Sequence, residues 1–558
     1  MFNFIKKYWL EIVAFVIIAG VLVNDMAPLA TWINTNSDGV HLTYAAKYLY
    51  PAHKGSAPLY LLLGHLFQMI PLGSDFWRMV LISVIGTMGC CLLIYAIVKE
   101  LMKDNKQKRL WGILAAFIFV ASALVFSQSI IAKYYSLTAM FGLLGYWFVL
   151  KKKWLWATAA LGAGLATHPI ILFFIIPLGL FNFRKFFTWK SALIMVGFCL
   201  FYLYVPVVTK WNPSPNMWGN TTPSSQIVDV GSTALMLTGG LAIYDFPKRI
   251  LDTIGLVGIC LLLSLIPIGI WIIKDKHWKN QLTWLFLLPI VYFMGDLAPQ
   301  TYVYMYPAFA FAGVIAVMQL SKMNWRFVAS IVGVTAVMFV FNAYYFNIGT
   351  TLDKNLMANE FVTKELPKIS GSNAIYIPQQ GWEWAAIFPY NKETNQNILA
   401  VCTGDLGSEI YLNQLLDNGI KLNMEENVDM PKRADLIAES IIEMNPNVWT
   451  TVGNDPQDYG AMVVKASKNN SPFVGKSYIT QKQLTAVRWN IDNPYGIITG
   501  HIEVSNWVNF NQSNRSMLIL GMMGFIGFAF CWFVQKIVFE KKEWRLGNVK
   551  DKFKEGIK

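Results

Sequence analysis

The stretch MVLISVIGTMGCCLLIYAIV, residues 79–98, contains no charged side chain and decides the class of the fold. An apolar run of about 18 or more residues is long enough to cross the hydrocarbon core of a bilayer as a helix. Similar runs recur along the 558 residues, of which 55% are hydrophobic and 14% charged. A soluble domain carries about 25% charged residues. The sequence therefore predicts a polytopic α-helical membrane protein.

Outward from this stretch, the apolar runs predict about twelve transmembrane helices. The predicted spans are 9–31, 75–98, 110–127, 130–150, 154–167, 169–183, 191–209, 250–273, 281–297, 302–320, 326–346 and 516–538. The first run has a basic lead but no small-residue cleavage site, so we expect a retained helix rather than a removed signal peptide. The two short runs that meet at Thr167-His168-Pro169 form either one broken helix or a tight hairpin.

The basic residues give the expected orientation. The chain has 46 Lys and Arg against 33 Asp and Glu, a formal charge of +13, and the excess lies in short connections between apolar runs. If there are twelve spans, every basic cluster falls on one side of the membrane. The positive-inside rule then places both termini in the cytoplasm. We expect a multi-pass protein of the plasma membrane. Because the charge is explained by topology, we do not expect a nucleic-acid partner.

Three longer polar segments then lie outside the membrane, at 32–74, 210–249 and 347–515. The first contains PLYLLLGHLFQMIP (58–71), which is apolar but too short to span. We predict that it forms an interfacial or re-entrant helix. It follows the polar, aromatic loop NTNSDGVHLTYAAKYLYPAHKGSAPLY (34–60), so the two together are expected to line a pocket.

The predicted domains follow from these segments. A transmembrane domain occupies residues 1–346, and the segment 347–515 is long enough to fold as a domain. That segment contains the strand-like runs NAIYIP (373–378) and AMVVKA (461–466) and a helical stretch near 432–444, which predict an extracytoplasmic α/β domain. A last transmembrane helix (516–538) and a basic cytoplasmic tail (539–558) complete the chain.

Ionisable side chains near the outer ends of the spans are candidates for chemistry. Asp38 is a general base, an ion ligand or a helix cap. His168 lies within apolar sequence, where an ionisable residue indicates function, and its alternative is a hydrogen bond between helices. Lys133 and Arg78 either extend to the lipid interface or bind a phosphate. The histidines of the outer loop, His41 and His53, are interpreted as loop residues at the edge of the pocket.

Two other outer connections contribute candidate residues. WNPSPNMWGNTTPSS (211–225) is rich in turn-forming Pro and Asn, and Trp218 beside Asn216 offers a flat surface for a sugar ring. The alternative for this stretch is an aromatic belt at the membrane interface. Asp296 lies in a very short outer connection, where it is either a residue of the substrate pocket or part of an ordinary polar turn. The chain has no GxxxxGK[ST], GxSxG, HExxH or CxxC motif, and its outer loops have no DxD, so we predict neither a metal nor a cofactor.

The order of these features resembles the GT-C superfamily of membrane glycosyltransferases. Within it, the chain is most similar to the protein O-mannosyltransferase-like group that includes the animal plexin-receptor O-mannosyltransferase. The features that carry the resemblance are Asp38, His53, Pro58-Leu59-Tyr60, Arg78, Tyr204-Val205-Pro206, Asn216-Met217-Trp218-Gly219-Asn220, Tyr306-Pro307-Ala308-Phe309 and Asp353-Lys354-Asn355. The chain departs from the group where His41 and Lys133 stand in place of Glu, where Val208 stands in place of Arg, and around Gly381-Trp382.

The resemblance implies transfer of a sugar, mannose in this group, from a polyprenyl-phosphate donor to a protein or glycan acceptor on the outer face. Asp38 is then the expected base for the acceptor hydroxyl, and Arg78 and Lys133 the expected cations for the lipid phosphate. His168 is expected to orient the donor or to structure the pocket, and Trp218 to stack on the sugar or to guide the acceptor. Two alternatives stay open: a polytopic transporter, for which no internal repeat is visible, and an inactive GT-C-like scaffold, since a second acid is missing.

Overall fold

The structure is a computed structural model that describes residues 2–26, 39–49, 57–73, 75–203, 264–295, 304–355, 375–377, 399–400, 448–452 and 462–465. Helices make up nearly all of the described chain as far as residue 355, and the strands follow it. The helices are α1 Phe2–Asp25, α2 Gly39–Tyr48, α3 Pro58–Gln68, α4 Asp75–Leu101, α5 Lys108–Val120, α6 Ala123–Ser129, α7 Tyr135–Leu150, α8 Trp154–Thr167, α9 Leu172–Phe181, α10 Phe183–Phe186, α11 Trp189–Cys199, α12 Ser264–Lys274, α13 Gln281–Gly295, α14 Tyr306–Leu320 and α15 Trp325–Asn355. Short 3-10 turns cover Pro169–Ile171, Leu200–Leu203 and His277–Lys279.

Three described helices are long and apolar enough to cross a membrane. They are Lys7–Asp25, Phe76–Leu101 and Trp325–Tyr344, and α5 with α6 adds a fourth if that bent pair is one span. The other apolar helices of the described chain have 10–17 residues. A helical membrane protein is therefore confirmed, whereas the count of twelve stays a prediction. The predicted last helix (516–538) and the tail (539–558) lie outside the described residues.

The predicted span 110–127 is wrong as one continuous helix. The chain bends by 76° between α5 and α6, and Ser122 at the break has extended backbone angles. The side chain of Asn342 in α15 donates to the carbonyl oxygen of Ala121 at 2.7 Å, so a buried group freed by the break receives a partner. Broken backbone at membrane depth is tolerated where the protein buries it and supplies such partners.

The helix α14 lies at the centre of the packing. Almost all of its residues are buried, as expected for a helix that is apolar on every side. A Cβ at Gly313 would lie 2.7 Å from the carbonyl oxygen of Ala115, so α5 and α14 are in backbone contact at this glycine. Small residues permit this close approach, which is the usual way that membrane helices gain packing energy.

The chain reverses at His168, so the hairpin is the correct alternative for residues 154–183. The helix α8 ends at Thr167, since the following Pro169 disfavours helical angles at His168, which is extended at φ −167° and ψ 144°. Beyond the turn the chain returns along α8. The ring of Trp154, at the start of α8, lies 5.7 Å from the ring of Phe186, beyond the end of α9.

The described part of the predicted outer loop 32–74 contains two helices, where the sequence predicted one. The predicted helix at 58–71 is confirmed as α3, with Pro58 in its first turn, where the missing N–H of proline costs no bond. Residues 39–48, interpreted as loop, form α2, because Leu42, Ala45 and Ala46 make one apolar face and are buried. A Cβ at Gly64 would lie 2.8 Å from Cβ of Ala46, so α2 and α3 are closely packed.

Other boundaries also differ from the sequence prediction. The helix predicted at 130–150 begins at Tyr135, and the helix predicted at 191–209 gives way to a 3-10 turn after Cys199. The last described helix continues past 346 to Asn355, so the predicted domain boundary at 347 falls inside α15. Hydropathy marks where a segment turns polar, and a helix can continue beyond that point with polar residues.

Ion pairs join the basic connections to one another. Arg109 pairs with Glu11 of α1 and also donates to the carbonyl oxygen of Lys7. Lys151 pairs with Glu100 at the end of α4, and Lys322 lies 3.4 Å from Asp275. These contacts bring together loops that the charge pattern had placed on one side of the membrane.

The described strands form one mixed sheet. The strands are β1 Ile375–Ile377, β2 Leu399–Ala400, β3 Val448–Val452 and β4 Met462–Lys465, in the order β2-β1-β3-β4. The strand β1 is parallel to β2 and β3, with Ile375 opposite both Leu399 and Val448, and β3 is antiparallel to β4. The two predicted strands are confirmed. The predicted helix near 432–444 lies outside the described residues, so an α/β domain stays a prediction.

Candidate functional site

The link between α6 and α7 holds Lys133 inside the protein. The hydroxyl of Ser83 donates to the carbonyl oxygen of Lys133 at 2.8 Å and accepts from its backbone N–H at 3.1 Å. The Lys133 residue is 6% exposed, and its Nζ lies 5.5 Å from the centre of the Tyr135 ring. This burial does not fit a side chain that extends to the lipid interface. Lys133 is a fixed, enclosed cation beside an aromatic face.

A polar stripe on α4 supports this link. Ser83, Thr87 and Cys90 are spaced at helical intervals, so they lie on one side of α4. The hydroxyl of Thr87 lies 2.7 Å from that of Ser129, and the thiol of Cys90 donates to the carbonyl oxygen of Ser136. Hydroxyls within apolar helices bond across to neighbouring helices, because lipid offers them no partner. The stripe therefore fastens both ends of the link that carries Lys133.

His168 lies at the centre of an aromatic group. Its ring stacks on Tyr134 with 4.3 Å between the ring centres and an angle of 16° between the rings. The ring centre of Tyr135 lies 5.7 Å away, with the two rings nearly perpendicular. The ring of Tyr304 lies 6.1 Å from His168 and 5.9 Å from Tyr292. We call these five residues the tyrosine–histidine cluster. It joins the links before α7, α9 and α14 to the C-terminal half of α13.

The tautomer of His168 follows from its backbone contact. Its Nδ1 accepts a hydrogen bond from the N–H of Ile170 at 3.1 Å, which caps the 3-10 turn Pro169–Ile171. A neutral imidazole that accepts at Nδ1 carries its proton on Nε2. His168 therefore has both a structural role at the turn and an N–H that can donate.

The short helix α3 lies against the cluster. The ring of Tyr60 lies 6.0 Å from that of Tyr134 in an edge arrangement, and burial raises the pKa of the Tyr60 hydroxyl above its usual value. His65, on the same helix, bonds to the carbonyl oxygen of Ala46 at 3.0 Å. The helix therefore links α2 to the tyrosine–histidine cluster.

Arg78 holds the turn between α3 and α4. Its Nη1 donates to the carbonyl oxygens of Ile70, Leu72 and Gly73 at 3.0–3.2 Å, and its Nε and Nη2 donate to Oε1 of Gln68 at 3.4 and 3.3 Å. In this conformation the guanidinium closes the end of α3. A role in binding phosphate, expected from the sequence, stays a prediction.

The structure brings together only part of the predicted site. Lys133 and His168 lie within one aromatic neighbourhood, as both adjoin Tyr135. His41 lies on α2, and nothing is described of its side chain. The other predicted site residues lie outside the described residues; they are Asp38, His53, Asn216, Trp218 and Asp296. Within the described part of the chain, no three His, Cys, Asp or Glu side chains group as metal ligands.

Sequence reasoning did not select Tyr134, Tyr135 or Ser83, and it used Tyr60 only as one of the residues that carry the family resemblance. The signal for the first two was the run Ala132-Lys133-Tyr134-Tyr135, in which two aromatic residues directly follow a lysine. The signal for Ser83 was its place in an apolar span together with Thr87 and Cys90. Tyrosine faces and an N–H from histidine can bind a sugar or a prenyl chain, and a lysine can neutralise a phosphate.

Residues 38–192 match the family model described as "Protein O-mannosyl-transferase TMEM260 N-terminal domain". The match begins at Asp38 and includes both Lys133 and His168. It confirms the resemblance to the protein O-mannosyltransferase-like group over this segment.

Two solved structures match about three quarters of the chain at low identity. ArnT from Cupriavidus metallidurans bound to undecaprenyl phosphate has 9% identity and a TM-score of 0.42, covering 71% of this chain and 90% of that one. ArnT from the same organism in the apo state has 11% identity and a TM-score of 0.38, covering 77% and 84%. No curated protein matches the chain.

Proposed function

We propose that the chain is a membrane glycosyltransferase that transfers a sugar from a polyprenyl-phosphate donor to a hydroxyl of a protein or glycan on the outer face. The observation that carries the proposal is the enclosed Lys133 beside the tyrosine–histidine cluster, inside the segment that matches an O-mannosyl-transferase domain. Mannose is the sugar that this family likeness favours.

The reaction needs a cation where the phosphate leaves. As the bond between the anomeric carbon and the phosphate oxygen breaks, the lipid phosphate keeps the electron pair and gains negative charge. A cation already fixed in place stabilises this charge without reorganisation. Lys133 fits this role, because its backbone is held at both N–H and carbonyl and its side chain is shielded from water.

The acceptor hydroxyl needs a base as it attacks the anomeric carbon. Asp38 is our candidate, since it stands where the resembled group carries the acid of its first outer loop and lies within the segment that matches the family model. Its carboxylate would take the hydroxyl proton, and the new glycosidic bond would form from the hydroxyl oxygen. His168 and its stacked Tyr134 would hold the sugar or the first isoprene unit of the donor, so they are positioning residues.

The test of Asp38 is transfer by the purified full chain in vesicles that contain mannosyl-phosphoryl-undecaprenol and membrane protein acceptors. We expect Asp38→Asn to abolish mannose transfer while the yield and the unfolding temperature stay those of the wild type. Asp104→Asn, in the connection between α4 and α5, is the matched control and should transfer normally. Full transfer by Asp38→Asn would rule out Asp38 as the base.

A further inference from the structure

An apolar groove of about 640 Å³ lies between α8, α9 and α11, at the ends of these helices next to the basic connections. Its lining includes Leu161, Ile176, Gly179, Phe187 and Met195. The volume lies within the range of about 300–1,000 Å³ that is typical of small-ligand sites. The groove is therefore large enough for a substantial part of a lipid molecule.

The groove is distinct from the tyrosine–histidine cluster. Thr158, near the start of α8, lines the groove, whereas His168 follows the end of that helix. Ten residues of α helix correspond to about 15 Å along the axis. The two sites thus lie towards opposite ends of the same helix.

The interior of the groove offers few polar contacts to a ligand. The hydroxyls of Thr188 and Ser191 lie 3.0 Å apart, and Thr158 donates to the Ser191 hydroxyl at 3.3 Å. These hydroxyls bond to one another, and the rest of the lining is apolar. The part of a ligand that enters the groove must therefore be apolar.

The rim of the groove is cationic. Arg184, Lys185 and Lys190 are exposed on α10 and the first turn of α11, directly beside the lining residues. None of the ion pairs seen among the described residues uses these three cations. An anion at the rim would therefore find positive charge that no described acid neutralises by direct contact.

Exposed aromatic rings line the groove next to the rim residues in sequence. Phe183, Phe187 and Trp189 are 56%, 69% and 70% exposed, and the rings of Phe183 and Phe187 stack at 4.0 Å. Nζ of Lys190 lies 5.6 Å from the Trp189 ring. Aromatic residues beside cations at helix ends are typical of the level where lipid tails meet headgroups.

We propose that this groove binds an anionic phospholipid of the surrounding leaflet, with one acyl chain between α8, α9 and α11 and its phosphate beside Arg184, Lys185 and Lys190. An apolar channel under a cationic rim is complementary to a molecule with an apolar tail and an anionic head. Basic pockets between membrane helices bind anionic headgroups in this manner. A zwitterionic lipid would fill the channel equally well but would gain less from the rim.

The test is native mass spectrometry of the full chain released from nanodiscs with equal amounts of phosphatidylglycerol and phosphatidylcholine of the same acyl chains. We expect the wild type to retain phosphatidylglycerol in preference to phosphatidylcholine. Gly179→Leu should lose the retained lipid, since a Cβ at Gly179 meets no atom within 4 Å and the longer side chain would extend into the groove. Gly197→Leu is the matched control, because Gly197 lies on α11, has the same open space and does not line the groove.

The rim is tested separately. Arg184→Gln with Lys185→Gln should reduce the preference for phosphatidylglycerol by about fivefold for each charge removed, as expected for cations near an anionic headgroup. Lys152→Gln with Lys153→Gln removes two exposed charges from another basic connection and should leave the preference unchanged. An unfolding temperature equal to that of the wild type shows that each variant is folded.

Three results would overturn the proposal. One is equal retention of the two lipids by the wild type, and another is wild-type retention by Gly179→Leu. The third is a wild type that retains neither lipid, which would show that the groove is empty or filled by the chain itself. The rim variants alter only exposed side chains. If Gly179→Leu does not fold, the preference of these variants for phosphatidylglycerol still tests the proposal.

Discussion

At the scale of single residues, Lys133 has the largest part in the account. The side chain of Lys133 is buried beside an aromatic ring, and both backbone groups of the residue form hydrogen bonds. These contacts hold a positive charge inside the protein. Ionisable residues at membrane depth are costly to bury and therefore indicate function. In the proposed reaction, this charge stabilises the phosphate that leaves.

We predict that Lys133→Met folds but loses catalysis. Methionine has a similar length without the charge, so packing should be kept, whereas removal of one group that stabilises transition-state charge lowers the rate by about 10²–10³-fold. The measurement is mannose transfer from mannosyl-phosphoryl-undecaprenol in vesicles. Lys153→Met, in an exposed connection, is the control and should keep the wild-type rate. Wild-type transfer by Lys133→Met would refute the role given to Lys133.

A second prediction concerns the support for this residue. Ser83→Ala removes the hydroxyl that bonds both backbone groups of Lys133, and unsatisfied buried groups cost about 1–3 kcal/mol each. We expect a loss of about that size in the free energy of unfolding, measured by urea titration in micelles. Ser330→Ala, whose exposed hydroxyl bonds only to the carbonyl of Arg326 on the same helix, should change it by less than about 0.5 kcal/mol. Equal effects in the two variants would contradict this assignment.

The sequence identified candidate site residues where an ionisable side chain stands within an apolar run. His168 and Lys133 stand out because each is ionisable within apolar sequence. Their neighbours do not stand out, because tyrosines are common at membrane interfaces and the ring of Tyr304 meets His168 from far along the chain. A contact of this kind depends on tertiary packing, which hydropathy does not encode.

At the scale of elements, hydropathy located the helices and missed the break between α5 and α6. Residues Val120-Ala121-Ser122-Ala123 contain neither proline nor glycine, so the run reads as one continuous span. The break is stabilised by Asn342, more than two hundred residues away. By contrast, the turn at His168 was visible in the sequence, since Pro169 acts locally.

The close contact between α5 and α14 predicts the effect of adding one methyl group at Gly313. A Cβ at Gly313 would lie 2.7 Å from the carbonyl oxygen of Ala115, so Gly313→Ala should force the helices apart and lower the free energy of unfolding by about 1–3 kcal/mol. Gly333→Ala is the matched control in α15. A Cβ there meets no atom within 4 Å, so the change should stabilise the helix by about 0.5–1 kcal/mol. Unfolding in micelles measures both, and a stabilised Gly313→Ala would show that the two helices are not in close contact.

At the scale of the whole molecule, ion pairs formed by basic residues agree with the placement of these residues on one side of the membrane. Three pairs join helices and connections that are distant in sequence: Arg109 with Glu11, Lys151 with Glu100, and Lys322 with Asp275. The positive-inside rule assigns this side to the cytoplasm. The orientation in the membrane is itself a prediction.

Cysteine labelling tests the orientation in a background without the six native cysteines. We expect Lys152→Cys and Lys185→Cys to react with a membrane-impermeant maleimide only after the membrane is permeabilised. Met69→Cys, at the exposed end of α3, should react in intact cells. Labelling of Lys152→Cys in intact cells, or of all three variants on one side, would contradict the predicted topology.

Charge and hydropathy therefore predicted the class of the molecule, many of its helices and two of its strands. They did not predict α2, since its apolar face is only ten residues long and lies within polar sequence. Sheet order was also beyond the sequence, because β1 and β3 are parallel neighbours separated by more than seventy residues. Pairing at that distance depends on the crossover connections rather than on local pattern.

The central claim is that the outer ends of these helices bind a lipid-phosphate sugar at Lys133. The most direct measurement is a structure of the full chain determined by electron cryomicroscopy with mannosyl-phosphoryl-undecaprenol. We predict that the phosphate lies about 3 Å from Nζ of Lys133, with the sugar or the first isoprene unit against His168 and Tyr134. A phosphate found only at the basic end of the helices, or a continuous path through the membrane in place of a site, would contradict the account.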